Sequence, residues 1–353
     1  MPTRADENRR FLADLFAGPF RGHAIVMDHE VVPSGLPGDF AISDRPLRDW
    51  LPWAVRNFEA RLKWHETVGD DSVPFVTMTT GTEIFAAAFG SAVHLYDDAP
   101  SAARPLVFTA DQADALALPD LSARPLERFF EFAHMVQAEV GAEVPLGVPD
   151  IQSPFDIAAL VWRKQDLFVA MHDNPAAVKR LVGKCLALLK AFLTEFKRQF
   201  PRCNLIHCPY HWAPPELGCA LSEDEAGSMS VAMFEEFCLP SLVDLSATFG
   251  GLFMHCCAAA DHQYPSFRKI PNLRGLNRVF QASGPRPAIE AFAGRTVLVM
   301  AWLGEQEVYN LLDMALPDTR FLFNLLAGGA PPAPPLEESK RTFERLRERC
   351  PRR

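Results

Sequence analysis

The sequence predicts an α/β protein, built as a TIM-like (β/α)8 barrel with an N-terminal helical extension. Two observations lead to this prediction. From residue 73 onward, short apolar runs alternate with helical stretches, which is typical of a parallel sheet. Roughly seven to nine candidate strands around one core then favour a closed barrel over an open sheet. We expect residues 1–70 to form the extension and 71–353 the barrel, together as one structural unit.

The individual helices and strands are predicted from the spacing of apolar residues and from the positions of proline and capping residues. Residues 1–21 predict a helix, residues 23–28 a strand, and residues 45–67 an amphipathic helix interrupted near Pro52. Further helices are expected over 175–199, which opens after Asp173-Asn174-Pro175, over 231–249, and at the end of the chain. The remaining strand-like runs are 73–80, 144–152, 203–209, 217–224, 251–257, 273–280, 296–303 and 319–326. The runs 203–209 and 217–224 form either a hairpin or a decorated loop.

Composition narrows the classes of function. The chain has 353 residues, a net charge of −9 and 48% hydrophobic residues, so nucleic acid and anionic membranes are not expected partners. No secretory leader and no apolar run of about 18 residues is visible, which predicts a soluble, cytoplasmic protein. The eight cysteines have no disulfide framework spacing, so free thiols are expected. Neither a GxGxxG nor a Walker motif indicates nucleotide binding.

The stretch GLFMHCCAAADH, residues 251–262, poses the central question of function. A buried strand ends there in His255, Cys256 and Cys257. Residues two apart in a strand face the same side, so His255 and Cys257 are expected to point together into the barrel mouth, with Cys256 toward the helices. Active sites of barrels gather at the carboxyl ends of the strands. The pair therefore predicts metal ligands, and the alternative is an ordinary buried strand end, since free cysteine is often buried.

Other strand ends offer further candidates. The segment HCPYH places His207 and His211 on a proline-containing turn, where a substrate-binding role, a metal role or a plain loop are all open. Glu223 and Asp224 follow another strand, where Glu223 is a candidate substrate-binding residue and Asp224 a candidate catalytic one. The alternative is a solvated acidic loop or the N-terminal cap region of the helix at 231–249. Glu83 is a catalytic candidate, or a carboxylate stabilised by a helix N-terminus.

These motifs resemble a known family. The blocks TGTEIFAAAFG (80–90), DIQSPFDIAALVWRKQDLFVAMHDNPAAVKRLV (150–182), LSEDEAGSMSVAMFEEFCLP (221–240) and HCC (255–257) are similar to the uroporphyrinogen decarboxylase superfamily, over about residues 73–345. The superfamily includes cobalamin-dependent thiol methyltransferases. The resemblance implies a TIM-like barrel, in agreement with the pattern above.

Within the superfamily, the methyltransferase branch implies zinc held by a His-x-Cys pair, here His255 and Cys257, together with a later cysteine. It further implies a thiol substrate and a corrinoid supplied by a partner protein. Gly328 stands where that cysteine is expected, and Glu223, Asp224, His207 and Cys208 are the candidate substitutes. The alternatives are a weak site, a site for another metal, or an empty one. Tetrapyrrole decarboxylation is the alternative, although its arginine-rich motif is not recognisable and Leu160 stands at an expected tyrosine. A non-catalytic barrel that binds a corrinoid or tetrapyrrole is the third possibility. The identity of the thiol and the oligomeric state stay open.

Overall fold

A computed structural model describes residues 2–28, 34–36, 38–96, 101–280, 283–326 and 335–352. The strands of this part of the chain are β1 Ala24–Asp28, β2 Val93–His94, β3 Ala102–Ala103, β4 Cys219–Ser222, β5 Leu252–Cys256, β6 Leu273–Arg278, β7 Val297–Ala301 and β8 Phe321–Leu326. The helices are α1 Arg4–Ala17, α2 Leu51–Val68, α3 Ile84–Ala88, α4 Ala110–Ala115, α5 Arg124–Val140, α6 Pro154–Val161, α7 Lys164–Asp173, α8 Pro175–Gln199, α9 Val231–Phe237, α10 Leu239–Phe249, α11 Tyr264–Phe267, α12 Arg286–Phe292, α13 Glu305–Met314 and α14 Leu336–Arg349.

Six of these strands form one parallel sheet in the order β1-β8-β7-β6-β5-β4. The chain returns to the sheet through helices after each strand, as parallel pairing requires. The predicted α/β barrel class is confirmed. The first strand of the ring lies inside residues 1–70 and pairs with β8, and the division at residue 70 stays a prediction.

Two irregular segments extend this sheet toward a ring. Residues 73–80 and 144–152 were expected as strands, but the described structure gives them isolated parallel bridges, Val76 with Leu146 and Gln152 with Ser222. Pro74, Pro145 and Pro149 interrupt both segments, and proline cannot donate to a strand ladder. The predicted strand at 203–209 likewise has only the bridge from Asn204 to Gly147. Strand β4 pairs with β5 on one edge and is bridged by Gln152 on the other, while Asn204 bridges Gly147, so the hairpin alternative for 203–209 and 217–224 is wrong.

At the free edge of β1, two aspartate side chains take the place of a neighbouring strand. The Ile25 N–H donates to an Asp71 carboxylate oxygen and the Met27 N–H to Asp70, each at 2.7 Å. The Asp71 N–H in turn donates to the Ile25 carbonyl at 3.0 Å. The two carboxylates thus satisfy the donors of one β1 edge where a neighbouring strand would otherwise do so.

Prolines set several helix boundaries. Helix α2 begins at Leu51 with Pro52 in its first turn, so Pro52 starts the helix and does not interrupt it. The helix expected over 231–249 is two helices, because Pro240 in the first turn of α10 has no N–H with which to continue α9. Helix α8 covers the predicted residues 175–199. None of the helices in the described ranges combines the length and apolar character needed to cross a membrane.

Successive side chains along each strand point to opposite faces of the sheet, and this produces two apolar cores. Outward residues such as Met254 and Met300 pack against the helices, and inward residues such as Ala220, Phe253 and Val299 fill the barrel interior. Helix α1 closes the amino-terminal end of the barrel: the Phe16 ring lies edge-on to Phe253, with centroids 5.0 Å apart. The interior is therefore apolar at its floor, which leaves the carboxyl ends of the strands for polar side chains.

Candidate active site at the barrel mouth

Three inward side chains form a polar row at the carboxyl ends of neighbouring strands. Ser222 of β4 pairs in register with His255 of β5, and His255 pairs with Asn277 of β6. The residues two positions earlier, Ala220, Phe253 and Gly275, line the interior beneath them. The strand period of two residues thus delivers a histidine between a hydroxyl and an amide at the mouth.

A possible metal site stands at this row. One ligand atom each from Asp224, His255 and Cys257 can be chosen so that all lie within 4.8 Å of one another. This is the one such group of three or more potential ligands among the described residues. Cys256 is fully buried among the outward core residues. The expected division, with His255 and Cys257 at the mouth and Cys256 toward the helices, is what the structure shows.

The His255 ring is held in one orientation by Asn277. The Asn277 amide nitrogen donates to the Val299 carbonyl at 2.7 Å, so its oxygen faces His255 Nδ1, 2.6 Å away. That oxygen can only accept, which places the proton of the neutral ring on Nδ1 and leaves the lone pair on Nε2. Outer hydrogen bonds of this kind fix the tautomer of metal-binding histidines.

The Asp156 carboxylate holds the backbone of Asp224 in place. The Asp156 carboxylate accepts the N–H groups of Asp224 at 2.7 Å and Glu225 at 3.1 Å. Asp156 stands in the first turn of α6, whose N-cap is Ser153. Burial and the Asp224 charge raise the pKa of Asp156 to about 8. Asp224 in turn accepts the Cys257 N–H at 2.6 Å, which ties two members of the group together.

Two thiols near the site, those of Cys257 and Cys208, are protonated at neutral pH when no metal is bound. Partial burial and the Asp224 carboxylate raise the pKa of Cys257 to about 11. Cys208 Sγ lies 3.7 Å from His255 Nδ1, and burial raises its pKa to about 12. A thiolate at either position therefore needs a positive partner close by.

The two histidines of HCPYH lie inside the barrel. His207 Nε2 is 3.0 Å from Ser222 Oγ and 3.5 Å from an Asp150 carboxylate oxygen, and burial lowers its pKa to about 3. His211 lies deeper, where its ring stacks on Phe16 with centroids 6.2 Å apart and its Nδ1 donates to the Pro209 carbonyl. Only His207 is near the mouth, and a substrate-binding role for it stays a prediction.

Glu223 is not brought to the mouth. It follows the inward Ser222, is completely buried, and lies beside Asp156 and Cys238 on the helix side of the strand end. Burial and the neighbouring Asp156 raise its pKa well above the ordinary range of a glutamate. The structure therefore separates the adjacent Glu223 and Asp224, and only Asp224 joins the candidate metal group.

Glu83 belongs to a second acidic group on the rim. It precedes α3, is fully buried, and accepts a hydrogen bond from Ser101 on one carboxylate oxygen. Burial raises its pKa, and the charges of Asp39 and Asp150 raise it further. Asp150 is also within electrostatic range of His255 and Asp224. Glu83 thus connects to the candidate metal group only through Asp150. Gly328, the expected position of a further ligand, lies outside the described residues.

Sequence reasoning missed Asn277, Asp150 and Trp302. Asn277 and Asp150 are polar residues at the ends of apolar segments, a signal that was visible in LRGLNRVF and VPLGVPDIQ. Trp302 follows β7 directly, is 44% exposed, and has a φ of 58°. Its ring lies edge-on to His255, with centroids 6.3 Å apart.

Comparison with solved structures shows the same fold elsewhere. A methyltransferase from Methanosarcina mazei superposes with a TM-score of 0.68 at 14% identity, over 96% of this chain and 97% of that one. A B12-independent methionine synthase from Shewanella sp. W3-18-1, in complex with selenomethionine, gives a TM-score of 0.52 at 9% identity, over 94% and 99% of the two chains. At such identities the likeness is one of fold. No curated protein matches the chain significantly.

The sequence comparison is more specific and covers less of the chain. Residues 59–199 match the family described as uroporphyrinogen decarboxylase (URO-D). Asp224, His255 and Cys257 lie beyond that segment, so their roles rest on the geometry above. The chain carries the sequence pattern of the uroporphyrinogen decarboxylase family over residues 59–199, and this match confirms the resemblance for the motifs inside that segment, 80–90 and 150–182.

Proposed function

We propose that this protein is a zinc-dependent methyltransferase that moves a methyl group from a corrinoid, carried by a partner protein, to a small-molecule thiol. The observation that supports it is the grouping of Asp224, His255 and Cys257 at the barrel mouth. Three protein ligands with one open position are the arrangement of catalytic zinc sites, and imidazole, thiolate and carboxylate are all zinc ligands. A bound zinc ion would lower the pKa of the substrate thiol and so supply a nucleophile near neutral pH.

The residues around the site fit that use. Asn277 keeps the lone pair of His255 on Nε2, and the Cys257 N–H orients the Asp224 carboxylate. A tetrahedral zinc ion needs ligand atoms roughly 3.5 Å apart, and the three ligand atoms here already lie within 4.8 Å of one another. Asp224 would replace the cysteine that the resemblance implies at position 328. Of the suggested substitutes, Cys208 approaches the Nδ1 side of His255, while His207 is turned toward Ser222 and Asp150.

The charge of the mouth argues against tetrapyrrole decarboxylation. Uroporphyrinogen carries eight carboxylates, which require cationic partners. Four acidic residues lie around the site: Asp39, Glu83, Asp150 and Asp224. Arg128, which acts on Asp39, already donates to the backbone carbonyls of Phe40 and Arg45. A bound polyanion would lie against the four acidic residues unfavourably, so the decarboxylase and the tetrapyrrole-binding alternatives have less support than thiol methylation.

Metal analysis of natively purified protein tests the proposal. Inductively coupled plasma mass spectrometry is expected to find about one zinc per chain, and loss of zinc in the variant His255→Ala/Cys257→Ser. Cys256→Ser is the matched control, because this neighbouring thiol faces the helices and should leave zinc unchanged. A protein without metal, or an unchanged zinc content in the double variant, would refute the zinc site. Carbon dioxide release from uroporphyrinogen by metal-free protein would support the decarboxylase instead.

A further inference from the structure

We propose that the barrel mouth binds an organic ammonium group beside the candidate metal site, so that the methyl acceptor is a thiol bearing a protonated amine. This inference rests on the proposed function for the thiol and on the acidic and aromatic surroundings of His255 for the amine. It distinguishes an aminothiol from thiols with an anionic tail.

Asp150 is a partly exposed carboxylate that a ligand at the barrel mouth can contact. Its side chain is 20% exposed, lies 3.5 Å from His207 Nε2, and accepts a hydrogen bond from the Gln152 amide at 2.5 Å. The basic side chains near it are the imidazoles of His207 and His255. Burial lowers the pKa of His207 to about 3, so it is neutral near pH 7, and a metal-bound His255 would be neutral as well. Burial raises the pKa of Asp150 to about 6, which still leaves the carboxylate mostly ionised at pH 7. The site therefore holds a negative charge that a substrate cation could neutralise.

Glu83 gives an independent sign that a partner is missing. One of its carboxylate oxygens accepts from Ser101, while Oε2 is buried and has no hydrogen-bond partner among the described residues. Burial raises the pKa of this carboxyl group, and the charges of Asp39 and Asp150 raise it further. A buried polar atom without a partner is costly in a folded protein. A cation beside Asp150 would offset the repulsion, and the buried Oε2 would gain a donor from it only if the Glu83 side chain turned toward the mouth.

Trp302 follows β7 and contacts His255 from that side of the sheet, whereas Asp150 lies near Ser222 on the β4 side. The side chain is 44% exposed, although tryptophan is usually well buried. Ammonium groups are attracted to the face of a tryptophan ring and to carboxylates. The acceptor thiol at the metal position would thus have Trp302 and Asp150 on either side of it, which suits a cationic group a few bonds from sulfur. Asp150 would repel a sulfonate or carboxylate tail.

Three thiols of equal length test the inference: 2-aminoethanethiol, 2-mercaptoethanol and 2-mercaptoethanesulfonate. Each is titrated into Co²⁺-substituted protein, and the sulfur-to-cobalt charge-transfer band reports the dissociation constant. The aminothiol is expected to bind roughly tenfold more tightly than the neutral thiol, with the sulfonate weakest. Asp150→Asn should abolish this order. Asp318→Asn, an exposed carboxylate that precedes β8 at the opposite end of the barrel, should preserve it.

The outcomes separate the two proposals. If cobalt binds and the three thiols bind equally, the ammonium inference fails and the metal site stands. If cobalt does not bind, the proposed function fails, and quenching of Trp302 fluorescence in metal-free protein tests the inference alone. Choline should then quench more strongly than its neutral analogue 3,3-dimethylbutan-1-ol, and Trp302→Phe should remove that difference. Equal quenching by both compounds would overturn the inference.

Discussion

The Asn277 side-chain oxygen lies 2.6 Å from His255 Nδ1, and the same amide donates to the Val299 carbonyl. Asn277→Ala leaves the histidine free to rotate and to change tautomer. We expect zinc affinity to fall about 10- to 100-fold, as measured by competition with a chromophoric chelator. Asn324→Ala is the matched control, since Asn324 also points inward but donates to the Tyr210 carbonyl. Equal losses in the two variants would contradict a role specific to His255.

Asp224 controls the acidity of Cys257 when no metal is bound. Partial burial and this carboxylate raise the thiol pKa to about 11. Asp224→Asn removes the negative charge, so the pKa should fall and a larger thiolate fraction should be present at pH 8. Alkylation of Cys257 in metal-free protein, followed by peptide mass spectrometry, should therefore be faster in this variant. Glu225→Gln, one residue away, should leave the rate unchanged, and an unchanged rate in Asp224→Asn would refute the coupling.

The buried pair Glu223 and Asp156 should make stability fall as pH rises. Both carboxyls have raised pKa values, that of Asp156 about 8, so the folded protein holds protons that the unfolded chain loses near pH 4. Between these values the folded state binds more protons, and the free energy of unfolding decreases with pH. Glu223→Gln removes one such group and should make the decline shallower, by at most about 1.4 kcal/mol per pH unit.

Urea unfolding at pH 5, 6, 7 and 8 measures this slope. The exposed Glu59→Gln is the control and should leave the pH dependence of the wild-type protein intact. A Glu223→Gln variant whose stability falls as steeply as that of the wild type would show that Glu223 is ionised in the fold.

Phe16 closes the barrel floor and should contribute strongly to stability. Its ring contacts Phe253 and His211, and it belongs to the inward core. Phe16→Ala is expected to lower the free energy of unfolding by about 3–5 kcal/mol. Chemical denaturation monitored by circular dichroism measures the change, and Phe108→Ala at a 44% exposed position should cost far less. A small effect at Phe16 would mean that α1 does not seal the interior.

The sequence predicted the regular elements well where one physical rule acted alone. Helix α8 has its apolar spacing and its proline at the start, and its bounds were predicted correctly. Strand β5 alternates, which placed His255 and Cys257 on one side and Cys256 on the other. Segments rich in proline were less predictable, because an apolar run there indicates burial without strand pairing.

The partners of His255 required information that a single sequence does not contain. Asn277 reaches His255 through the register between β5 and β6, and that register shifts at Leu252 and Phe253. The spacing of residues in the sequence does not predict such a shift in strand register. Asp224 and Glu223 are equivalent as sequence, and only their opposite facing at the end of β4 distinguishes them. Trp302 at the mouth depends on a left-handed backbone conformation, which is uncommon for tryptophan.

The edge held by Asp70 and Asp71 has a consequence for the order of assembly during synthesis. Strand β1 leaves the ribosome early, whereas its partner β8 follows nearly 300 residues later. An unpaired strand edge in that interval invites contact with other chains. The two carboxylates lie about 45 residues from β1 and satisfy the donors of one edge. They therefore offer an early, local shield on that side, and only the β8 side waits for the rest of the barrel.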